Sequence, residues 1–480
     1  MTFEAMLRQI KLDIDSNKIS FKKFTTKYTK EKVNEYLENP KKYEKELRDV
    51  TRALCVLSPQ FNRLVGYIPD MAMFNYVIIP KMDKVNINNK EKFIKEYQGW
   101  GRYLENLNIQ HEFIKIVKSN FKFDTYFGYV LEEKDSFYIK TLDHNYCQIT
   151  SVDDGCFNYS FNFEFFDKDS NKKFLDYYPS EFKEKYNLYK KHGQNYKWQE
   201  LDSSKTICTK FYEDMVDISY PPYCNTFGDL YDISDYKQID KQSAENENYQ
   251  LIGLEMETNS KNGDVNAWKV SPDTALEYYS IIQQALPEGI GAFITPMKWD
   301  TANFSNSNQS KIDRVQNSTR NFWDGAGVSS VLFSSSASNA GTLKYSMLVD
   351  TNMLFIIYRQ LERWLNRKLK NKFKGKVGVK LLDIHRLNQS DFIDQHLKLA
   401  QYGVPNKTML ASSLGLSPTE MLSLNTLECD VLDLVNNLKP LSSSHTQSGT
   451  EESGRPTLDD TNISEKGQQT RDGGGSENKV

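Results

Sequence analysis

The chain has 480 residues, a mass of 55.7 kDa and a formal net charge of −3. That length exceeds what one core fills, since single cores stop growing at roughly 250–300 residues, and the near-neutral balance withholds the basic surface that tight nucleic-acid binding needs. Six scattered cysteines (Cys55, Cys147, Cys156, Cys208, Cys224 and Cys429) form no C-x-x-C pair, which disfavours zinc and disulfide frameworks, and no apolar run approaches the ~20 residues of a membrane span.

The N-terminal MTFEAMLRQIKLDIDS is amphipathic and lacks the apolar stretch of a secretory signal. Residues 1 to about 118 read as amphipathic helices, among them TRALCVLSPQFNRLVGYIPDM and EKFIKEYQGWGRYLENLNIQHEFIKIVKSNF. From Phe121 the period shifts to two, through FKFDTYFGYVLEE, DSFYIKTL, NYCQIT and FNYSFNFEFF. In the last, Phe157, Tyr159, Phe161, Phe163 and Phe165 alternate with Asn158, Ser160, Asn162 and Glu164, which predicts an aromatic face on a core and a polar face in water. DDG at 153–155 supplies a hairpin turn.

A Pro-Pro stop at 221–222 precedes a helix over about 226–249, whose apolar positions (Leu230, Ile233, Tyr236, Ile239) thin out toward its end. A small α/β unit follows, with strands at LIGLEMET and VNAWKV, a helix capped by Ser271 with Pro272 in its first turn, and a strand at GAFITPMKW. Residues 306–323 form another weakly apolar helix. Neither polar helix carries the wide stripe that burial inside a globular domain demands. GVSSVLFSSSASNAGT, at 327–342, has a flexible linker's composition around one apolar pulse, Val331 to Phe333. Beyond it the pattern predicts one long helix over about 343–372, a strand at KVGVKLLDI, and three short helices over 389–438 that include the capping box SPTE at 417–420. From Lys439 onward the composition predicts disorder.

Chemistry-bearing motifs are scarce. The chain lacks the Gly-rich nucleotide loops, H-E-x-x-H and G-x-S-x-G, and its six histidines are too dispersed for a metal helix, so no cofactor or metal is expected. Glu255 and Glu257 alternate on one strand, as a glycosidase pair could, although two acids on a strand are ordinarily a solvated or partner-facing patch. Arg359 to Lys380 holds nine Lys or Arg in twenty-two residues, which reads either as a phosphate contact or as a solvated helix end. Lys311, Arg314 and Arg320 follow one another at intervals of three and six residues, roughly one stripe.

The order of segments resembles a tailed-bacteriophage portal protein: Pro-Pro and a polar helix, NYQLIGLEMETNSKNGDVNAWKV, a small α/β unit ending ITPMKW, a second polar helix, a Gly/Ser loop, a long helix, a helical bundle and a polar tail. The resemblance covers nearly the whole chain. It implies an α+β, portal-like fold with a wing at 1–222 and 343–388, stem helices at 223–249 and 306–323, and a clip at 250–305. A tunnel loop at 324–342, a crown at 389–438 and a disordered tail at 439–480 complete it. The family implies a non-enzymatic ring, usually of twelve copies, at the unique capsid vertex. It would conduct double-stranded DNA during packaging and ejection and dock the terminase large subunit and head-completion or adaptor proteins, alongside major capsid and scaffolding proteins. Such a chain would be assembled in the host cytoplasm and end in the virion, without a membrane partner. On this resemblance Asp324, Gly325, Gly327, Ser329, Ser330, Ser334, Ser335, Ser336 and Asn339 would belong to the tunnel loop, and Lys311, Arg314 and Arg320 would line the channel. Glu255, Glu257, Asp264 and Trp268 would meet partners at the clip. The alternatives are another capsid or tail structural subunit, and a carbohydrate-active hydrolase using Glu255 and Glu257.

Overall fold

The computed structural model describes residues 28–85, 89–133, 136–247, 250–257, 268–286, 290–295, 297, 299, 302–303, 310–329, 332–333 and 340–438. The N-terminal segment and the tail from Lys439, both read above, lie outside these residues. The chain divides into compact units at residues 1–421 and 422–480.

The first unit opens with helices α1 (Lys30–Glu38), α2 (Glu44–Leu57) and α3 (Pro59–Tyr67). Ser58 both ends α2 and starts α3: its N–H reaches the Leu54 carbonyl, its Oγ accepts from Phe61 N at 3.2 Å, and Pro59 occupies the first helical position. Strand β1 (Tyr76–Pro80) interrupts the expected helical run, followed by α4 (Lys90–Asn106) and α5 (Ile109–Phe123). Its YVIIP sequence is too short for periodicity to separate strand from buried helix.

Strand β2 (Thr125–Glu132) begins only after Asp124, because Phe121 still completes the buried stripe of α5. Strands β3 (Phe137–Thr141), β4 (Cys147–Asp153) and β5 (Cys156–Asn162) follow, the last two joined through Asp154 and Gly155, both at positive φ, as the hairpin signal predicts. Helices α6 (Asp169–Lys172) and α7 (Ser180–His192) then lead to β6 (Trp198–Glu200) and β7 (Thr206–Lys210). The sheets run β3-β2-β7 and β4-β5-β6, with all pairs antiparallel.

β2 is the wall between two cores. Tyr126 and Val130 face the helical core of α2, α3 and α5, whereas Phe127, Tyr129 and Leu131 face an aromatic core with Phe157, Tyr159, Phe161, Phe163, Phe166 and Phe182. A Cβ on Gly128 would stand 2.6 Å from Ile139 Cγ2 and 2.8 Å from Ile207 Cγ2, so only glycine lets the flanking strands close here. The aromatic run departs from the alternation expected of it. β5 stops at Asn162, whose side chain accepts from Glu164 N and starts a 3-10 turn holding Phe163 and Phe165. Ser160 and Asn162 are buried rather than solvated, because β5 is the middle strand and its neighbours cover small side chains.

The middle of the unit consists of α8 (Phe227–Glu247), β8 (Gln250–Glu255), α9 (Pro272–Ala285), β9 (Ile290–Thr295), β10 (Ala302–Asn303) and α10 (Ser310–Gly325). β8 and β9 are parallel with α9 between them in sequence, and β10 pairs antiparallel on the other edge of β8. Ser271 caps α9 by accepting from Thr274 N at 3.2 Å. Of the expected VNAWKV strand, only Trp268 onward is described.

The long helix expected over 343–372 is two helices, α11 (Ala340–Thr351) and α12 (Leu354–Lys372). Thr351 Oγ1 bonds back to the carbonyls of Met347 at 2.9 Å and Leu348 at 3.1 Å, a contact that bends helices. α12 packs into the helical core: Tyr358 OH accepts from Met73 N, and Trp364 Nε1 donates to Thr206 O. Strand β11 (Val377–Leu381) pairs antiparallel with β1, and α13 (Gln389–Gln401), α14 (Lys407–Ser413) and α15 (Pro418–Asn425) follow. The capping box forms, Ser417 N donating to Glu420 Oε2 and Glu420 N to Ser417 Oγ. In the second unit a π-helical segment (Thr426–Val431) precedes α16 (Leu434–Asn437). Among the described residues no helix is long and apolar enough to cross a membrane.

His144 lies inside this fold against Phe123 and Phe127, with Nε2 2.7 Å from the Thr125 carbonyl. Burial, helped by Arg48 and Arg52, pushes its pKa down to about 3 from 6.5. The unfolded chain therefore takes up a proton below pH 6.5 that the folded chain refuses, and stability falls as pH drops through that window toward 3, by up to about 1.4 kcal/mol per pH unit. Calorimetric melts between pH 7 and 4 should show a lower acid slope for His144→Gln than for the parent; equal slopes would remove His144 as the source.

Candidate functional site

Polar helices α8 and α10 leave the helical core side by side, and the site is their common base. The chain is delivered to α8 by residues 211–223, which are pinned around a buried ion pair. Asp124, at φ +70°, accepts from Lys210 Nζ and from Tyr212 N at 2.9 Å, while Lys210 Nζ also donates to the Ile218 carbonyl at 2.7 Å. Both side chains of the pair are essentially inaccessible. Arg48 Nη1 donates to Ser219 O, and Glu44 Oε1 accepts from Ser219 N, so this lead-in is fixed against α2 as well.

At the base, Phe227, Leu230 and Ile233 of α8 and Phe322 and Trp323 of α10 are buried in the helical core. α10 ends in a two-bond stop: Gly327 N reaches Asp324 O and Val328 N reaches Trp323 O, with Gly327 at φ +74° and Val328 buried against the core. That is the bond pattern of a Schellman motif, whose left-handed residue is glycine because a Cβ is strained there. Beyond it Phe333 stacks on Trp323, with ring centroids 3.9 Å apart, meets Tyr67 edge-on at 5.4 Å and lies under the Arg63 guanidinium.

The glycine- and serine-rich segment is therefore not uniformly a loop. Asp324 and Gly325 belong to α10, Gly327 is a helix stop rather than a point of flexing, and Ser329 is half-buried. Ser330, Ser334, Ser335, Ser336 and Asn339 lie outside the described residues. Asp324 is exposed and paired with Arg320 at 3.5 Å. The expected cationic stripe does not hold: Arg314 and Arg320, both exposed, stand roughly 120° apart around a regular helix, because six residues are not a whole number of turns. The Lys311 side chain is outside the description.

The α/β unit beyond α8 places Glu255 at the exposed end of β8. Glu257 lies past the strand and is bonded to Lys269, which holds its carboxyl below the usual range. A general acid needs the opposite shift, so Glu257 is not suited to that role. Asp264 is outside the described residues, and Trp268 is half-buried. Among the described residues no His, Cys, Asp and Glu group could hold a metal.

The basic run of α12 is largely neutralised within the chain. Arg359 pairs with Asp383, Arg363 with Glu213, Lys368 and Lys372 with Glu132, Lys370 with Asp154, and Lys376 with Glu96. Buried Arg367 donates to the carbonyls of Asp153 and Ser203 and to Asn158 Oδ1. These cations join α12 to both sheets rather than presenting a phosphate surface. The same network lines a cavity of about 780 Å³ with Tyr103, Tyr129 and Tyr178.

No protein-family model matches the chain, and no curated protein matches it. Among solved structures it is similar to a chain in the neck of an empty gene transfer agent (GTA) particle, at 12% identity over 77% of this chain and 94% of that one, with a TM-score of 0.43. It is also similar to a chain in the virion of a native GTA particle, at 10% identity over 75% and 91%, with a TM-score of 0.40.

The Trp323–Phe333 stack is testable by a double-mutant cycle. Phe333→Ala and Trp323→Leu should each lower the melting temperature, and the two should be non-additive by about 0.5–1.5 kcal/mol, the coupling of a buried aromatic pair. Additive losses would show that Phe333 does not anchor the segment.

Proposed function

We propose that this chain is the subunit of a tailed-phage portal ring, the channel through which double-stranded DNA enters and leaves the capsid. One observation carries the reading beyond segment order. No described residue between Ile233 and Phe322 is buried, although this stretch holds α9, most of α8 and α10, and a three-stranded sheet. Leu276, Tyr278 and Ile281 on α9 are 58–62% exposed, and Met297 is 72% exposed. A mixed α/β module whose described residues bury no core of their own needs its apolar surface covered from outside. Copies of the same chain repeated around an axis cover it, since head-to-tail contacts that close generate rings.

In this reading α8 and α10 are stem helices, each keeping one face for the neighbouring subunit, and the β8–β10 module is the clip. The clip acids Glu255 and Glu257, with Asp264 and Trp268, form the docking surface for the terminase large subunit and later for head-completion proteins. Glu257 contributes its charge by releasing Lys269. Among the described side chains of α10 the stem offers DNA sparse charge, Arg314 with the Arg320–Asp324 pair, which suits a wall that a duplex must slide past. Phosphate contacts strengthen as cations accumulate, and a passage must not hold its cargo. ATP hydrolysis belongs to the motor that docks, not to this chain.

Leu276→Asp combined with Ile281→Asp tests the reading. Both side chains are exposed, so the double variant should keep the parent's melting temperature while losing the high-mass species in sedimentation velocity. Unchanged assembly would remove α9 from the subunit contact.

A further inference from the structure

The break between α11 and α12 is held from outside the helices by one side chain. His385 is buried, its ring beside Phe355. Its Nδ1 accepts from Leu387 N at 3.2 Å, which leaves Nε2 as the protonated nitrogen, 3.0 Å from Thr351 Oγ1. Thr351 passes its own proton to the carbonyls one turn back. The histidine is fixed independently of α11: its backbone bridges to Ala72, its N–H donates to Asn388 Oδ1, and the preceding carbonyl of Ile384 accepts from Tyr358 OH.

We propose that residues 351–353 form a proton-sensitive hinge, held in its interrupted geometry by neutral His385 and released when the imidazole is charged. A second proton would sit on Nδ1 and face the Leu387 N–H, donor against donor. The elements packed on His385 carry Asp350 on α11, Arg359 on α12, and Asp383 and Arg386 beside it. Arg359 and Asp383 pair with each other, and no described carboxylate pairs with the imidazole. Asp350 is itself buried and faces the Tyr67 hydroxyl rather than the imidazole. An imidazolium formed here has no counter-charge, and opening the joint to water is its relief. Burial also lowers the pKa of His385 from 6.5, so the closed joint binds a proton less well than the open one and opening is favoured as pH falls below 6.5. The inference does not depend on the ring: a rigid joint in an assembled ring would overturn this hinge alone.

Hydrogen exchange of the full-length protein, corrected for intrinsic rates, tests it. Between pH 7.5 and 5.0, protection of amides in 349–357 should fall, and should do so equally in a His144→Gln background, which lacks the acid destabilisation of the whole fold. His385→Gln should abolish the pH step. Thr351→Val, which removes the acceptor without adding bulk, should give low protection at both pH values. A flat profile in the parent, an equal step in His385→Gln, or a step that disappears in the His144→Gln background would each overturn the proposal.

Discussion

The fold is organised around a charge that cannot reach water. Lys210, at the end of β7, is buried with its ammonium against Asp124, and the two share their remaining hydrogen bonds with Tyr212 N and the Ile218 carbonyl. Breaking such a pair from one side costs about 3–5 kcal/mol, because the survivor is left uncompensated. The chain between Tyr212 and Ile218 therefore has little freedom. It is wrapped around the pair and handed to Arg48 and Glu44 before reaching Pro221. A polar helix with few buried residues has no strong means of fixing its own direction. The ion pair fixes it at the root, at the junction of the β2–β7 ladder with the helical core.

Two burial regimes meet at that root. On one side β2 separates the aromatic core from the larger helical one, which α12 helps close while its cations are spent on internal partners. On the other side no described residue between Ile233 of α8 and Phe322 of α10 is buried. Stability generated by the first regime carries the second, and the apolar surface left on α9 is available to a neighbour. The Trp323–Phe333 stack and the Gly327 helix stop lie at the boundary, where the second regime returns to the first.

Much of this was legible in the sequence, for reasons that differ by element. Ser58, Ser271 and Ser417 mark helix starts because their hydroxyls satisfy local N–H groups, and such signals do not depend on distant packing. The thinning stripe of α8 was equally local and told of incomplete burial. Illegible features depended on remote partners. β1 is a strand because β11 lies beside it, more than two hundred residues away in sequence. The division of α11 from α12 depends on Thr351 and on His385 beyond it. The apolar pulse at 331–333 was visible as an oddity in a serine-rich stretch, but only Trp323 and Tyr67 explain why Phe333 is there. The proposed stripe through Arg314 and Arg320 failed on helix geometry alone, without any tertiary cause.

The central claim is that the unburied surface from α8 to α10 is covered by further copies of this chain. Native mass spectrometry with negative-stain imaging of the full-length protein, across a range of protein and salt concentrations, tests it most directly. The account predicts a closed ring of about twelve subunits with a central hole. A compact monomer under every condition, with α9 still exposed, would contradict it.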